Sequence, residues 1–259
     1  MHSKEEKLQA FERLLDIMDE LRAKCPWDKK QTLESLRPLT IEETYELSEA
    51  ILSGDLQEVK KELGDVLLHM VFYAKIAQEQ QVFDIADALN ALCEKLIERH
   101  PHIYGNTIAI TQEQVKQNWE KIKLKNGSKG VLKGVPKGLP SLVKAQRIQE
   151  KVAAIGFDWD DRAAVLLKVK EEIAELEHEI QTGDASRAEK EFGDVLFSLV
   201  NYARFLGINP DNALSQTNQK FIHRFEMMET LAQEQGRELS QMSLPEMDDL
   251  WNQTKTRFL

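Results

Sequence analysis

The fold is decided by a stretch that reads IEETYELSEAILSGDLQEVKKELGDVLLHMVFYA, residues 41–74, and that occurs again as KEEIAELEHEIQTGDASRAEKEFGDVLFSLVNYA, residues 170–203. The two copies align without a gap, so that Glu42 corresponds to Glu171 and Asp65 corresponds to Asp194. Each copy keeps the same order of acidic patterns, which is EExxE, then Gly-Asp, then ExxD. Self-similarity of this kind indicates a duplicated structural unit.

The similarity continues on both sides of these stretches. Trp27 corresponds to Trp159, and Trp119 corresponds to Trp251. The intervening segment LKNGSKGVLKGVPKGLP contains four Gly and two Pro and has no helical periodicity, which is typical of a linker. We therefore predict three parts, which are an N-terminal repeat over 1–123, a flexible linker over 124–140 and a C-terminal repeat over 141–259.

Apolar residues recur every three to four positions through most of the chain, the pattern of amphipathic helices. No segment shows the alternation that is typical of a half-buried strand. The sequence therefore predicts an all-α protein in which each repeat is a four-helix-type bundle. The predicted helices cover 4–23, 38–53, 56–80, 84–99, 111–124, 141–155, 162–182, 185–206, 210–236 and 244–257.

The composition excludes several classes of protein. A formal net charge of -10 repels a phosphate backbone, so we expect no nucleic-acid partner. Two cysteines, Cys25 and Cys93, are too few for a disulfide framework and suit a reducing compartment. The charged first ten residues do not resemble a signal peptide, and no apolar run is long enough for a membrane span. We expect a cytoplasmic protein without a membrane partner.

The acidic residues of the second copy are spaced so that they converge. Glu171 and Glu175 lie on one face of a helix with Glu172 beside them, and Glu191 and Asp194 share a face of the next helix. The link between these helices is short, with a Gly suited to end one helix and an Asp suited to begin the next. Short links make helices antiparallel neighbours, so the two acidic faces can meet.

Clustered carboxylates repel one another unless a cation compensates them. Mg²⁺ or Mn²⁺ is the usual partner of such groups, and Mg²⁺ commonly takes phosphate oxygens as further ligands. The plainer interpretation is a solvated acidic face, because Glu is common on exposed helices. Two features favour a site: an apolar run follows each ExxD directly, and Gly64 and Gly193 inside helices suggest close helix packing beside the acids.

Cations at helical spacing could bind phosphate groups. Lys168 lies one turn before the EExxE pattern, and Lys220 and Arg224 are four residues apart. A network of surface ion pairs is the alternative for all three. Trp251 and Lys255 are again four residues apart, and the Trp could stack on a base or simply cap a hydrophobic core.

The combination of EExxE and ExxD, with fifteen residues between them on adjacent helices, resembles the MazG family of the all-α NTP pyrophosphatase superfamily. CPWD at 25–28, GFDW at 156–159 and FxxRF at 221–225 also resemble this family, and the resemblance covers the whole chain as a tandem arrangement. It implies Mg²⁺-dependent hydrolysis of NTPs to NMP and pyrophosphate, with broad base tolerance, a homodimer, and a role in house-cleaning or nucleotide-pool control.

The resemblance also implies roles for individual residues. In the C-terminal repeat it implies metal ligands at Glu172, Glu175, Glu191 and Asp194, with Glu171 either a further ligand or the base that orients water. Lys168, Lys220 and Arg224 would hold phosphates near Trp251 and Lys255. The N-terminal repeat has Leu39 where the second has Lys168, which predicts a weaker or different activity there. Its candidate residues are Glu42, Glu43, Glu46, Glu62, Asp65, Lys95, Arg99, Trp119 and Lys123.

Other functions are less compatible with the residues. A di-iron carboxylate protein uses two ExxH patterns, whereas this chain has Glu175-x-x-His178 once and Glu49 at the repeated position of the His. The chain contains no Walker A loop, which argues against a P-loop NTPase. A helical scaffold or regulatory partner with weak catalysis remains the alternative, and metal-dependent release of pyrophosphate would distinguish it from an enzyme.

Overall fold

The computed structural model describes residues 1–105, 111, 114–115, 118–119 and 130–256. Every regular element within these ranges is helical, which confirms the all-α prediction. The chain divides into two compact units, Met1–Trp119 and Glu120–Leu259. The boundaries of the three predicted parts stay a prediction, and most of the helix predicted over 111–124 lies outside the described residues.

The first unit contains five α-helices up to residue 105, and the described residues 114–115 and 118–119 are helical as well. The five helices are α1 (Lys4–Lys24), α2 (Leu33–Ser53), α3 (Leu56–Glu79), α4 (Ile85–Arg99) and the single turn α5 (Pro101–Tyr104), with a 3₁₀ turn over Asp28–Lys30. Helix α3 is central, since α1, α2 and α4 all pack against it. The buried centre consists of Met18, Leu36, Val71, Phe72 and Ile76.

The second unit repeats the central pair of helices. Its helices are α6 (Ser141–Ala153), α7 (Arg162–Thr182), α8 (Ala185–Phe205), α9 (Pro210–Glu234) and α10 (Leu244–Thr256). Helices α7 and α8 make the most extensive packing contact, while α6 packs on α8 and α10 packs on α9. The contact between α9 and α10 buries Met228, Leu231, Ala232, Met242 and Leu250.

Helix α2 begins five residues earlier than predicted. The predicted start is residue 38, which is a proline, and proline is tolerated best in the first turn of a helix. Instead Thr32 caps the helix and exchanges hydrogen bonds with Ser35, so Pro38 lies in the second turn. A proline there removes one backbone hydrogen bond, to the carbonyl of Glu34, and the exposed position of Glu34 lets water replace it.

No described helix is long and apolar enough to cross a membrane.

Candidate metal centre

The hairpin of α7 and α8 positions the second acidic set. Gly183 ends α7 with a φ of 80°, a left-handed conformation that glycine adopts without strain. Asp184 then caps α8, because its side chain accepts hydrogen bonds from the N–H groups of Ser186 and Arg187. This two-residue link makes the helices antiparallel, as predicted, and brings their acidic faces together.

Three carboxylates from these two helices converge. Glu172, Glu175 and Glu191 each offer an oxygen, and these oxygens all lie within 4.8 Å of one another. Glu172 is buried, Glu191 is half-buried and Glu175 is exposed, so the group lies at the edge of the helix pair and opens to solvent. We call these three residues the second cluster.

A lysine compensates part of the second cluster. The Lys168 Nζ lies 2.7 Å from Oε1 of Glu172 and 2.8 Å from Oε1 of Glu171. These hydrogen bonds, first to Glu171 and then to Glu172, raise the pKa of Lys168 and keep its ammonium charged. Lys168 therefore pairs with two predicted site residues in this structure, and not with a separate phosphate pocket.

The first repeat builds the equivalent arrangement from α2 and α3. Oxygens of Glu43, Glu46 and Glu62 also lie within 4.8 Å of one another, and we call these residues the first cluster. Glu62 is only 4% exposed, and its Oε1 accepts a hydrogen bond from Lys61 at 2.7 Å. Its Oε2 is buried and has no hydrogen-bond partner among the described residues.

Loss of hydration, together with crowding of negative charge, changes the acidity of carboxyls in both clusters. The pKa values of Glu43, Glu46 and Glu175 are all raised. Loss of hydration is the first cause in each case, and repulsion from the other carboxylates of the same cluster adds to it. A positive ion at either cluster would offset both effects.

The residues fit a hard divalent cation. Both clusters consist of carboxylates alone, and oxygen donors are the ligands that Mg²⁺ and Mn²⁺ prefer. The unpartnered Oε2 of Glu62 is an acceptor whose burial is otherwise costly, and a cation would satisfy it. A di-iron site is a poor match, because neither described cluster includes a histidine and His178 is exposed.

Comparison with known proteins places the chain in a family. The MazG nucleotide pyrophosphohydrolase domain matches residues 31–104 and again residues 161–228, which are the two hairpins and their neighbours. The chain belongs to the MazG family. This match confirms the tandem all-helical repeats predicted from the duplication.

Relatives in the MazG family match almost the full chain. The nucleoside triphosphate pyrophosphohydrolase/pyrophosphatase MazG of Thermotoga maritima is 43% identical, with 95% of each chain covered. The nucleoside triphosphate pyrophosphohydrolase of Escherichia coli is 40% identical over 96% of this chain and 98% of its own. The crystal structure of a mazG-related protein from Thermotoga maritima is 31% identical, covers 44% of this chain and 98% of its own, and has a TM-score of 0.39.

Several acidic residues that were predicted as site residues lie outside the first and second clusters. Asp194 and Asp65 do not join the described groups of mutually close carboxylates. Asp65 is still near enough to Glu43 to raise the pKa of that carboxyl, after the loss of hydration. Glu171 is held by Lys168 on the exposed side of α7, whereas Glu42 is exposed on α2.

The predicted phosphate-binding and stacking residues of the second repeat have other neighbours. Trp251 packs against the core between α9 and α10, and its ring centroid is 5.1 Å from that of Phe221. The Lys255 Nζ donates to Oδ1 of Asn252 on its own helix at 3.0 Å. Lys220 is exposed on α9, and Arg224 is half-buried on the same helix. Trp251 therefore packs on the core in this structure, and its contact with a nucleotide base stays a prediction.

Three of the four corresponding residues of the first repeat lie among the described residues. Lys95 and Arg99 lie on α4, and the ring of Trp119 contacts that of His100 edge-on at 5.0 Å. Lys123 lies outside the described residues. In each repeat, therefore, the later Trp lies against a ring on or just after the preceding helix, but at different positions, since His100 aligns with Phe225 and not with Phe221.

The expected role of the helical glycines was wrong. Gly64 and Gly193 were predicted to allow close helix packing beside the acids. A Cβ built at either position would meet no heavy atom within 4 Å among the described residues. Among the described residues, the space beside Gly64 and Gly193 is therefore open.

Two features near the first cluster were not predicted. Lys61 pairs with Glu62, and the repeat of Lys-Glu at 190–191 was a signal that could have drawn attention to it. The Oγ1 of Thr40 contacts Nδ1 of the buried His69 at 2.7 Å and the Tyr73 hydroxyl at 2.5 Å. Val169 and Ser198 replace Thr40 and His69 in the second repeat, so this polar contact distinguishes the two hairpins.

Proposed function

We propose that this chain hydrolyses nucleoside triphosphates to nucleoside monophosphate and pyrophosphate, with Mg²⁺ or Mn²⁺ at the second cluster. One observation carries the proposal: three carboxylates from two antiparallel helices converge within 4.8 Å with a lysine beside them. A cluster of carboxylates and a cationic side chain is suited to a metal-bound triphosphate. Both full-length relatives described above have names that give this activity to those proteins.

The reaction is a substitution at the α-phosphorus. The oxygen of water forms a bond to that phosphorus, and the bond from phosphorus to the oxygen that bridges to the β-phosphate breaks. The electron pair leaves with pyrophosphate, and the proton of the water passes to a base or to solvent. A bound Mg²⁺ would offset the charge of the triphosphate and lower the pKa of the attacking water.

The side chains of the second repeat have separate tasks in this proposal. Glu172, Glu175 and Glu191 hold the cation, since their oxygens already converge. Asp194, three residues after Glu191 on the same helix, would be a further ligand of this ion. Lys168 holds a phosphate group once the nucleotide is present, and Glu171, its partner in this structure, is a ligand or the base that orients water.

The wider biological assignment is part of the same proposal. Broad tolerance of the base follows from the family resemblance and from phosphate-centred recognition, with Lys220, Arg224 and Lys255 as further phosphate contacts. An enzyme of this kind would act in the cytoplasm in house-cleaning or control of the nucleotide pool. The acidic net charge suits a small-molecule substrate better than a nucleic acid.

We further propose that the chain forms a homodimer through the exposed face of each hairpin. Apolar side chains at matching positions of α3 and α8 form a stripe in each repeat, and each is between 42% and 58% exposed. The open space at Gly64 and Gly193 adjoins these stripes and would admit a neighbouring helix. The stripe residues are Leu63, Leu67, Met70, Phe192, Leu196 and Leu199.

The activity is tested by measuring NMP and pyrophosphate from a panel of ribo- and deoxyribonucleoside triphosphates. We expect equimolar products with Mg²⁺ or Mn²⁺ and none with excess EDTA. Release of nucleoside diphosphate and phosphate would contradict attack at the α-phosphorus. A folded chain that turns over no nucleotide with either metal would instead favour the helical scaffold. Sedimentation of the same sample measures the dimer independently of activity.

A further inference from the structure

The two clusters differ in the cation that accompanies them. In the second cluster, the Lys168 Nζ lies 2.7 Å from the buried Glu172 and bonds Glu171 as well. Lys168 is itself half-buried on α7, one turn before Glu172, so its ammonium is held against the cluster by the helix. Part of the negative charge of the second cluster is therefore neutralised by the chain itself.

The first cluster has no equivalent of this lysine. Leu39 occupies the repeated position and packs against the core of the first unit. Lys61 reaches Oε1 of Glu62 from an exposed position, since 62% of its side chain is accessible. Oε2 of Glu62 is left buried and, among the described residues, unpartnered beside Glu43 and Glu46. One residue of the first cluster thus retains a buried acceptor that no described donor satisfies.

A lysine ammonium and a divalent cation compete for the same carboxylate oxygen, and each weakens the binding of the other. An ammonium 2.7 Å from Oε1 of Glu172 occupies one of the oxygens that a metal would use, and two cations a few ångströms apart repel each other. A metal that uses this oxygen must displace the Lys168 ammonium, whereas a triphosphate offers that ammonium new oxygen partners. At the first cluster Lys61 bonds only Oε1 of Glu62, so a cation can use the buried Oε2 without displacing that lysine.

We propose that Lys168 is a built-in competitor of the cation. The second cluster binds the ion weakly until a triphosphate draws the Lys168 ammonium away, whereas the first cluster binds the ion without nucleotide. This inference rests on the proposed function for the nucleotide step. It assigns the first repeat a resident cation and makes metal and substrate binding interdependent at the second.

The test measures Mn²⁺ binding by calorimetry to the full chain without nucleotide. Glu62→Gln weakens the first cluster, so the remaining binding reports the second, and Glu191→Gln does the reverse. Each of these two single variants then receives a second substitution, at position 168 or at the aligned position 39. Lys168→Met is made with Glu62→Gln, and Leu39→Lys is made with Glu191→Gln. Lys168→Arg with Glu62→Gln is the matched control that keeps the positive charge.

We expect Lys168→Met to tighten Mn²⁺ binding at the second cluster by roughly tenfold, a factor of the size that is usual for coupling between two binding events. Lys168→Arg should leave the affinity close to that of its background. Leu39→Lys should weaken binding at the first cluster, with circular dichroism to verify folding because Leu39 contacts the core. The Lys168 variants decide the question even when Leu39→Lys does not fold.

The outcomes separate this inference from the proposed function. Equal Mn²⁺ affinity in the Glu62→Gln protein with and without Lys168→Met would overturn the competition and leave the enzyme proposal intact. Binding of Mn²⁺ to neither cluster, together with absence of metal-dependent turnover, would overturn both. In the active protein, competition also predicts that Lys168→Met lowers the Mn²⁺ concentration for half-maximal rate and raises the KM for nucleotide.

Discussion

Glu172 and Glu43 occupy the same position in the two repeats, but their neighbours one turn earlier are Lys168 and Leu39. If the second cluster is the main catalytic site, Glu172→Gln should lower turnover by at least about 100-fold, because loss of an outer-shell partner alone can cost about that much. Glu43→Gln should cost much less, since its repeat lacks the lysine. Initial rates of pyrophosphate release measure both effects.

The two variants are controls for each other, because both remove one charge from a similar cluster. Circular dichroism should show native helix content in each of them. Equal losses would show that both repeats are active or that they form one shared site. Full activity in folded Glu172→Gln would remove Glu172 from the catalytic assignment.

At the scale of residues, helical spacing was sufficient to predict that acids of the two helices meet. Glu172 and Glu175 share a face of α7, and a two-residue link fixes which face of α8 they oppose. Spacing decides less about Asp194, because a residue three positions after Glu191 is rotated by about 60° around the helix. The pairing of Lys168 with Glu171 depends on rotamers, which spacing does not determine.

At the scale of elements, the error at the start of α2 shows how the duplication could have been used further. Helix α7 begins at Arg162 after the cap Asp161, and the aligned positions in the first repeat are Leu33 and Thr32. The preference of proline for the first turn is a local rule, and a cap with tertiary packing outweighed it. Alignment with the start of α7 therefore predicts the start of α2 better than the position of Pro38 does.

A partly buried ion pair holds the loop that precedes α7 against helix α8. Arg204 donates two hydrogen bonds to Asp158, one of them at 2.9 Å, and both side chains are less than one-third exposed. We expect Arg204→Gln to lower the free energy of unfolding by about 1–2 kcal/mol, because charged, two-pronged bonds are the stronger class. Urea titration of the folded protein measures the change.

The exposed pair of Lys24 and Glu20 is the control for Arg204. Both of its side chains are more than 60% exposed, so Lys24→Gln should change stability by only about 0–0.5 kcal/mol. Similar losses for the two variants would show that the Asp158 pair contributes no more than a surface pair does.

The start of α10 should become less stable in acid. Hydrogen bonds from Arg237, and then from the side chain and N–H of Ser243, lower the pKa of Glu246 from 4.5 to about 2. A carboxyl with a lowered pKa in the folded state contributes stability above its unfolded pKa, and loses it as the pH falls from 4.5 toward 2. Glu246→Gln should therefore be less stable than the parent at about pH 6, with a smaller difference at about pH 3.

Urea midpoints of the two proteins at both pH values measure this effect. Glu229→Gln, at an exposed position of α9, is the matched control. A difference between Glu246→Gln and the parent that stays constant between the two pH values would contradict the assignment to ionised Glu246.

At the scale of the whole molecule, the sequence indicated how many repeats there are, but not which faces stay open. The apolar positions of α3 and α8 predict buried faces, yet stripes of both helices are exposed in this chain. Amphipathic patterns show that a face is apolar without showing what covers it. The misjudged roles of Gly64 and Gly193 have the same origin, since both adjoin those faces.

The net charge of -10 and the two carboxylate clusters lead us to expect that divalent cations stabilise the whole chain. An ion that binds only the folded state stabilises it by about 2.7 kcal/mol at about 100 times its dissociation constant. We therefore expect Mg²⁺ to raise the thermal unfolding midpoint and EDTA to reverse the shift. NaCl at equal ionic strength controls for screening of the general negative charge. Glu62→Gln with Glu191→Gln should abolish most of the Mg²⁺ shift, because each cluster then lacks one ligand, whereas an undiminished shift would locate the ions elsewhere on the acidic surface.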